Sequence, residues 1–476
     1  MANSSLALAP DQRAALWKRL IERIEEYLAG VDTARVAPLL DAGALRSLLD
    51  PYNFNQAQNP LDALDFVAQN CWRHQVHSSH AHYYGLFNPQ PSTISIAADA
   101  LVAAFNPQLA GWSHSPFAVE IEQHLIHAFG VRFGYDRAQC DGTFTSGGAE
   151  ANHTGVLCAL VHAFPEFARE GLRALPAQPV FYVTGQSHHS LLKAARECGL
   201  GTDAVREIPL DAGWKMDLSA LTSRIQQDRA AGLAPFLIVG TAGTTSAGIV
   251  DPLPALADLC ARERLWLHVD AAWGGAAVMV PELGAVLAGI ERADSITFDA
   301  HKWLSVPMGA GIFLTRHRDI LDRTFRISTE YMPREAEGME VTDPYTHSMQ
   351  WSRRFIGLKV FLTLAVAGWD GYAAAIRHQA AMGDLLRREL GENGWEMVNP
   401  TELPVVCFRD CKHAPAIDAG EIARHVVASG KAWLSTIRAP GGGPLLRACI
   451  TNHRTGPDAI RVLVENLNAA RQAVAG

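Results

Sequence analysis

The sequence predicts an α/β protein with a mostly parallel central sheet, an N-terminal helical segment and a small C-terminal α+β domain. Three observations support this fold class: the chain is long, apolar runs alternate with helical patterns in its middle, and each run ends in small or polar residues. With 476 residues, 48% of them hydrophobic, the chain can bury a large core with smaller flanking parts. We predict that these parts span 1–95, 96–375 and 376–476.

The N-terminal part is predicted to start with a helix. Apolar residues recur at helical spacing over 12–30 and the run ends on Gly30, which indicates an amphipathic helix with a glycine stop. Residues 51–95 are rich in Pro, Asn, Gln and His and predict irregular structure. Because Met1–Pro10 lacks a basic region followed by an apolar core, we expect no signal peptide.

Four short apolar runs in the middle of the chain predict buried parallel strands. They are Pro179–Val183, Phe236–Val239, Leu265–Val269 and Ser295–Phe298. Each run is followed by a small or polar cluster and then by a helix-like stretch, which is typical of the βαβ units of a doubly wound sheet.

A long polar segment separates these predicted strands from the C-terminal part. Residues 324–352 contain Asp343-Pro344 and show no period, so we predict a long loop, and loops of this length are usually functional or mobile. A predicted helix at about 353–395 then precedes the shorter strands and helices of the C-terminal domain.

Composition excludes several classes of function. The net charge is -8, without runs of like charge, so neither nucleic acid nor a membrane surface is expected as a partner. No apolar stretch is long enough to cross a membrane. Cys407 and Cys411, with His413 beside them, lack a second ligand pair at zinc spacing, so we expect no metal site. Scattered cysteines favour a reduced cytoplasm.

Asp270 and Lys302 each follow a predicted buried strand, where an unpaired charge is costly. A carboxylate and a lysine at strand ends are the minimum set for using pyridoxal phosphate, since the lysine forms the Schiff base and the aspartate keeps the pyridine nitrogen protonated. The structural alternatives are that Asp270 caps the next helix and that Lys302 is a surface lysine.

Three further strand ends carry residues that suit the same ligand. Gly147-Gly148 precedes a helical run and could present backbone amides to a phosphate. The imidazole of His188 could stack on a flat ring, and the hydroxyls of Thr244-Thr245 could bond a phenolic oxygen. Considered alone, each of these three features is more typical of an ordinary turn or helix cap than of a ligand site. The agreement of five strand ends, which form a common edge in a parallel sheet, favours one shared site.

The motifs together resemble the group II pyridoxal-phosphate-dependent amino-acid decarboxylases. The resemblance covers roughly residues 75–460. It is carried by the runs His268–Gly275 (HVDAAWGG), His301–Trp303 (HKW), Ser187–Ala194 (SHHSLLKA) and Trp351–Phe355 (WSRRF). It implies the aspartate-aminotransferase-like fold type I of such enzymes, as a homodimer with active sites at the interface.

The resemblance also implies roles for individual residues. Lys302 would form the Schiff base and Asp270 would pair with the pyridinium nitrogen. Ala272 and His188 would lie against the two ring faces, and Thr245 near the phenolic oxygen. The residues implied to bind phosphate are Gly148, Ala149 and His301.

Substrate binding is implied at two further places. Arg447 resembles the C-terminal arginine that holds the substrate carboxylate. The segment His82–Pro89, which contains Phe87 and Asn88, resembles one that lines the substrate pocket, in part from the neighbouring subunit.

The sequence departs from the family pattern at two positions. Ala149 stands where many relatives have a hydroxyl side chain that binds the phosphate. Backbone amides and His301 must therefore supply more of the phosphate binding here. The loop tyrosine that protonates the product carbon in aromatic decarboxylases is displaced by one residue, because the chain reads Asp343-Pro344-Tyr345. Tyr345 is the first candidate for this role and Tyr331 the second, with His188 as another proton donor.

The predicted activity is decarboxylation of an L-amino acid to its amine and carbon dioxide. The displaced tyrosine keeps open an oxidative decarboxylation–deamination to an aldehyde, and the scaffold also suits a carbon–carbon lyase or an aminotransferase. A protein that binds the cofactor without turnover is disfavoured, because binding alone does not need an electron-withdrawing partner such as Asp270.

Overall fold

The computed structural model describes residues 6–327, 336, 338–413 and 417–475. It contains a seven-stranded mixed sheet, a four-stranded antiparallel sheet and helices packed around both. This architecture confirms the predicted α/β fold with a mostly parallel central sheet, a helical N-terminus and a smaller C-terminal sheet.

The α-helices of the described residues are Pro10–Gly30 (α1), Ala42–Ser47 (α2), Pro60–His74 (α3), Thr93–Phe105 (α4), Pro116–Arg132 (α5), Gly148–Ala163 (α6), Phe167–Glu170 (α7), Ser190–Glu197 (α8), Leu218–Ala230 (α9), Leu253–Glu263 (α10), Pro281–Gly284 (α11), Ile320–Phe325 (α12), Gly357–Glu392 (α13), Ala419–Ser429 (α14) and Pro457–Ala475 (α15). The β-strands are Asp141–Thr145 (β1), Pro179–Thr184 (β2), Val205–Ile208 (β3), Ala234–Thr241 (β4), Trp266–Asp270 (β5), Ser295–Asp299 (β6), Gly311–Thr315 (β7), Trp395–Met397 (β8), Val405–Asp410 (β9), Ser435–Arg438 (β10) and Pro444–Cys449 (β11). Short 3₁₀ helices span Val31–Thr33, Trp112–His114, Gly171–Ala174, Thr202–Ala204, Gly274–Met279, Ala285–Leu287, Ile290–Arg292 and Pro344–Thr346.

The large sheet has the strand order β1-β7-β6-β5-β4-β2-β3. β7 runs antiparallel to both of its neighbours, while β6, β5, β4, β2 and β3 pair in parallel. The carboxyl ends of β1, β5 and β6 therefore lie at the same edge. In an open α/β sheet, that edge is where ligands bind.

All four predicted strands are confirmed, with ends shifted by one or a few residues. Every residue of β2, β5 and β6 is buried, because helices cover both faces of the sheet and leave no exposed side for polar alternation. This burial explains why the strands appear in the sequence as short continuous apolar runs.

The N-terminal helix is confirmed, and α1 ends on Gly30 as predicted. A side chain at Gly30 would come within 2.7 Å of the Trp72 ring, so the glycine permits close packing against α3. The prediction of irregular structure over 51–95 is wrong, because α3 lies inside that range. Asn59 and Pro60 are the start signals of α3: the Asn59 side chain accepts a hydrogen bond from Leu61 N at 2.9 Å and proline suits the first helical position.

The segment after the long loop is fixed to the large sheet by a buried ion pair. Glu122 on α5 accepts hydrogen bonds from the backbone N–H groups of Ile356 and Gly357 at 3.0 and 2.9 Å, and pairs with Arg353 at 2.7 Å. These contacts set the start of α13, which spans most of the helix predicted at about 353–395. The helix is kinked at Gly368, whose φ is 64°.

The C-terminal sheet has the order β10-β11-β9-β8 and is antiparallel throughout. It packs with α14 and α15 around its own apolar cluster, which includes Trp395 and Phe408. In the described part of the chain, no helix combines the length and apolar character that crossing a membrane requires.

Candidate active site

Asp270 is the last residue of β5, and its side chain is only 5% exposed. Its Oδ1 accepts a hydrogen bond from Ala272 N at 3.1 Å and its Oδ2 accepts one from Asn152 Nδ2 at 2.8 Å. A buried carboxylate is costly unless donors satisfy both oxygens. The local contact to Ala272 is the kind of bond that a capping aspartate makes, but Asn152 holds the other oxygen from a different element, α6.

Asn152 connects Asp270 to a buried polar chain below the sheet edge. Its Oδ1 lies 3.0 Å from His268 Nε2, and His268 Nδ1 lies 2.8 Å from Ser295 Oγ. Trp266 Nε1, which can only donate, donates to Ser295 Oγ at 2.8 Å. Because Asn152 Oδ1 can only accept, a neutral His268 donates from Nε2 and accepts at Nδ1 from the Ser295 hydroxyl.

The same asparagine also reaches His188. Asn152 Nδ2 donates to Ser190 Oγ at 2.9 Å, and Ser190 Oγ lies 2.8 Å from His188 Nδ1. Ser190 N also donates to His188 Nδ1 at 3.2 Å, so Nδ1 is an acceptor and a neutral His188 carries its proton on Nε2. Burial lowers the pKa of His188, while the Asp270 charge favours and the Lys302 charge disfavours its charged form.

His268 stays neutral at the centre of this network. Burial lowers the pKa of His268 to about 4, against a smaller opposing effect of the Asp270 charge. A neutral imidazole is the form that can both accept at Nδ1 and donate at Nε2. The chain of donors thus runs in one direction, from Trp266 toward Asp270 and His188.

Lys302 follows β6 and forms an ion pair with Asp299, the last residue of that strand. The Lys302 Nζ to Asp299 Oδ2 distance is 3.0 Å, and the two side chains are 22% and 1% exposed. Asp299 Oδ1 is buried and has no hydrogen-bond partner. Asp299 N donates to Ala272 O at 2.9 Å, so the ends of β5 and β6 lie side by side.

Two glycines at the start of α6 face this pair. A Cβ on Gly148 would lie 2.8 Å from Asp299 Oδ2 and 3.3 Å from the Ala272 Cβ, so the close approach requires glycine. A Cβ on Gly147 would lie 3.5 Å from the His301 ring. The imidazole of His301 accepts a hydrogen bond from Ala310 N at 3.2 Å, and burial lowers its pKa.

Arg447 reaches the site from β11 and is only 2% exposed. Its Nε donates to Thr245 O at 2.9 Å and its Nη1 donates to Gly85 O at 2.8 Å. The guanidinium lies 5.1 Å from the centre of the Phe87 ring, which stacks on Trp273 at 4.5 Å. Nη2 is buried without a hydrogen-bond partner, so the arginine retains one donor for a ligand.

The sequence comparisons identify the family. The pyridoxal-dependent decarboxylase conserved domain matches residues 43–410. The chain is 30% identical to an aromatic-L-amino-acid decarboxylase of Bacillus atrophaeus over 99% of this chain and 98% of the relative. It is 31% identical to an L-2,4-diaminobutyrate decarboxylase of Rhizobium meliloti (strain 1021), over 78% of this chain and 74% of the relative.

A solved structure supports the same family. Oryza sativa TDC, crystallised with PLP and tryptamine, superposes with a TM-score of 0.92 and 25% sequence identity over 98% of this chain and 99% of that one. The chain belongs to the pyridoxal-dependent decarboxylase family. It is therefore a carboxy-lyase with pyridoxal phosphate as its cofactor, as the resemblance implied.

The side chains of this decarboxylase fit pyridoxal phosphate. The site offers a buried carboxylate, a partly exposed lysine, a glycine pair at a helix N-terminus and two imidazoles. Buried polar atoms normally have partners, yet Arg447 Nη2 and Asp299 Oδ1 have none among the described residues. Both sit beside the residues predicted to hold the cofactor and its substrate. Within the same described ranges, no group of His, Cys, Asp and Glu side chains could hold a metal ion.

The remaining predicted residues of the decarboxylase surround this cluster. Ala272 is buried beside Gly148, and Ala149 is exposed at the first turn of α6. Thr245 is exposed, with its carbonyl bound to Arg447. Asn88 and His301 both line a largely apolar cavity of about 930 Å³ next to α1 and α3.

Tyr345 has contacts outside the cluster of Asp270 and Lys302. Its N–H donates to Ala110 O at 3.1 Å and its ring packs on Trp351. His347, two residues on, pairs with Asp141 at 3.2 Å. Asp141 starts β1, so it is about 13 Å from the end of that strand at the cofactor edge, at ~3.3 Å per residue. Tyr331 lies outside the described residues.

Sequence reasoning missed three polar residues of the site. Ser190 stands inside the quoted run Ser187–Ala194 and Asn152 follows Gly147-Gly148 on the same helix, but neither stretch of sequence predicts that Asn152 bonds to Asp270 and Ser190. Asp299 could have been identified from the sequence. Like Asp270 it ends a buried strand, where an unpaired carboxylate destabilises the fold.

We predict that Asn152→Ala lowers kcat. The change removes a hydrogen bond to the charged Asp270, and such bonds are worth about 1.5–3 kcal/mol, or about tenfold to hundredfold in rate. Steady-state kinetics with saturating pyridoxal phosphate test this. Ser295→Ala is the control, since it breaks the far end of the chain and leaves the Asp270 contacts intact. A kcat of Asn152→Ala equal to that of Ser295→Ala would contradict the prediction.

Proposed function

We propose that this enzyme decarboxylates an L-amino acid to the corresponding amine and carbon dioxide, with Lys302 as the residue that binds the cofactor covalently. The observation that carries the proposal is the pair of adjacent strand ends that presents Asp270 and Lys302 at one buried edge of the sheet. The family match supports the reaction class, and the choice of substrate rests on the site alone.

The cofactor, when bound, supplies a conjugated ring that accepts the electrons left by the departing carboxylate. Asp270 would face the pyridine nitrogen and hold its proton, because the carboxylate is charged and fixed at both oxygens. Ala272 and His188 would cover the two ring faces, and the Thr245 hydroxyl would bond the phenolic oxygen.

The phosphate would be held at the start of α6. Gly148 and Ala149 carry backbone N–H groups of the first helical turn, which are free to bind an anion and are favoured by the helix dipole. His301 lies over the same turn. With alanine at 149, no hydroxyl from that position assists them.

Arg447 is the proposed anchor for the substrate carboxylate. Its Nε and Nη1 are fixed by the carbonyl oxygens of Thr245 and Gly85, which leaves Nη2 as an oriented buried donor. Phe87 lies against the guanidinium and Asn88 follows it in the chain. This apolar wall favours an aromatic or neutral side chain on the substrate.

Three groups are candidates for the proton that replaces the carboxylate on the substrate carbon: His188, Tyr345 and Tyr331. His188 is one, because the network through Ser190 leaves its proton on Nε2. Tyr345 is the second and Tyr331 the third; because the contacts of Tyr345 in its own chain are with Ala110 and Trp351, we propose that it acts in the partner's active site. If protonation is slow, oxygen can divert the reaction toward aldehyde, ammonia and hydrogen peroxide, and the displacement of Tyr345 is the observation that favours this second candidate function.

We propose a homodimer with active sites at the subunit interface. α1 and α3 have no buried residue although each has an apolar face, and they are joined by ion pairs of Arg19 and Arg23 with Asp65. Exposed side chains such as Trp17 and the adjoining cavity would be covered by a second copy. Burial of an otherwise exposed apolar helix face is the usual source of stability in obligate dimers.

The division into 1–95, 96–375 and 376–476 remains part of this proposal. The large sheet ends at residue 315 and the small sheet begins at residue 395, so the last boundary falls within the helix that connects them. All eight cysteines are free, which favours a reducing compartment such as the cytoplasm.

Replacement of Lys302 by alanine tests the covalent role. We expect Lys302→Ala to lose turnover and to gain no cofactor mass after borohydride reduction, because the variant lacks the amine that lies beside the end of β6. Mass spectrometry of intact protein measures this, with Lys193→Ala on the exposed side of α8 as the matched control. Retention of covalent cofactor by Lys302→Ala would exclude Lys302 from this role.

The proton donor is tested by product analysis of Tyr345→Phe in air. We expect the ratio of aldehyde to amine to rise, because the substrate carbon loses its main proton source. Tyr372→Phe, a change in a buried tyrosine that bonds Leu304 O, is the control for loss of a hydroxyl. An unchanged ratio in Tyr345→Phe would exclude Tyr345 as the main proton donor and leave Tyr331 and His188.

A further inference from the structure

A second cavity lies at the edge of the large sheet opposite the candidate active site. It has a volume of about 490 Å³ and lies at the amino ends of β4, β5 and β6. Asp270 and Asp299 stand at the carboxyl ends of β5 and β6. At ~3.3 Å per residue, these five-residue strands separate the cavity from the two carboxylates by about 13 Å. The cavity is therefore distinct from the site assigned to the cofactor.

Three arginines from different parts of the chain line this cavity: Arg264 after α10, Arg292 before β6 and Arg316 after β7. Arg292 donates to Pro254 O at 3.3 Å and to Asp258 Oδ1 at 2.7 Å. Arg316 donates to Arg292 O at 3.3 Å. In the described part of the chain, the Arg264 guanidinium has neither an ion pair nor a hydrogen bond. Since each guanidinium carries five N–H donors, the cavity has donors that the fold does not use.

Asp294 is the one carboxylate among the residues that line the cavity. Its Oδ1 lies 2.8 Å from His317 Nε2, and its Oδ2 accepts a hydrogen bond from Leu267 N at 2.8 Å. Arg316 Nε lies 4.0 Å from Asp294 Oδ1, at the outer limit of an ion pair. Three guanidinium groups against one carboxylate leave an excess of positive charge, which attracts an anion into a concave site.

The backbone of Arg264 has a conformation that favours glycine or asparagine. Arg264 follows the last turn of α10 with φ 57° and ψ 48°, which is the left-handed region. A Cβ makes this region unfavourable, and such local strain occurs most often at functional positions. An arginine without a partner on the rim of a cavity suits contact with a ligand.

The floor of the cavity is apolar and partly aromatic. Trp266, Leu265 and Cys260 are buried there. The ring of His162 stands edge-on to Trp266, with 5.1 Å between the ring centres. Ligand sites commonly combine such an apolar lining with a few polar groups that fix the orientation of the ligand. This floor suits the flat apolar body of a ligand whose charged group reaches the arginines.

We propose that this cavity is a second binding site, which takes a small carboxylate with a flat apolar body. The carboxylate pairs with Arg264 and Arg316, because a planar guanidinium can donate two parallel hydrogen bonds to it. The apolar body lies over Trp266. This inference does not depend on the roles proposed for Lys302 and Asp270, so it can fail without affecting the proposed function.

Calorimetric titration of the holoenzyme with benzoate tests the proposal. We expect saturable binding to wild type and binding at least about tenfold weaker to Arg264→Asn, because charged hydrogen bonds are lost. Asparagine suits the left-handed backbone at this position, so the change removes the guanidinium without adding strain. Arg316→Gln should weaken binding in the same direction. Arg169→Gln, which changes an exposed arginine beside α6, is the matched control and should bind benzoate as wild type does.

Two other ligands test the chemistry of the site. Benzamide has the same ring without the charge, and inorganic phosphate has charge without the ring. We expect both to bind wild type more weakly than benzoate. Benzamide binding as tightly as benzoate would contradict the role of the arginines. Phosphate binding as tightly would contradict the role of the apolar floor, and either result would overturn the inference.

The substrate site is the other place where a carboxylate would bind, with Arg447 as its proposed anchor. Arg447→Gln separates the two sites, because it leaves the opposite edge of the sheet unchanged. Weaker benzoate binding in Arg264→Asn, with wild-type binding in Arg447→Gln, supports the second site. Weaker binding in Arg447→Gln alone assigns benzoate to the substrate site and overturns the inference. No binding to wild type, or equal binding to all variants, also overturns it.

Discussion

The structure depends on the burial of two carboxylates at one edge of the large sheet. Asp270 and Asp299 end adjacent strands, and both are nearly inaccessible to water. Asp270 is stabilised by donors on both oxygens, whereas Asp299 relies on Lys302 and leaves one oxygen free. Burying such charges costs free energy, so the neighbouring residues must stabilise these two carboxylates.

The rest of the fold fixes that edge. The antiparallel β7 lies between β1 and β6, and its register pairs Gly311 with both Thr145 and Asp299, so α6 starts next to the Asp299–Lys302 pair. Trp303, directly after Lys302, donates to Gln379 on α13, and Gln379 donates to Thr451 O. The C-terminal sheet contributes Arg447 from β11. The small sheet is thereby joined to the loop after β4 through the bond from Arg447 to Thr245 O.

The positions of the strands, and hence of Asp270 and Lys302, could be predicted because a fully buried parallel strand leaves a short apolar run with a polar residue at its end. The contacts of Asn152 could not be predicted, because they join elements distant in sequence. The helix α3 was missed because Asn59 and Pro60 suit both a loop and a helix start. Tyr345 could be named from its motif, but its packing on Trp351 could not be predicted.

The central claim is that this edge of the sheet converts an amino acid to an amine. Purified enzyme with pyridoxal phosphate, incubated in air with a panel of protein and common non-protein L-amino acids and analysed by mass spectrometry with carbon dioxide and oxygen measurements, tests it most directly. The account predicts one preferred substrate that yields amine and carbon dioxide in equal amounts without oxygen consumption. Aldehyde and ammonia with consumption of oxygen, or a keto acid without carbon dioxide, would contradict it.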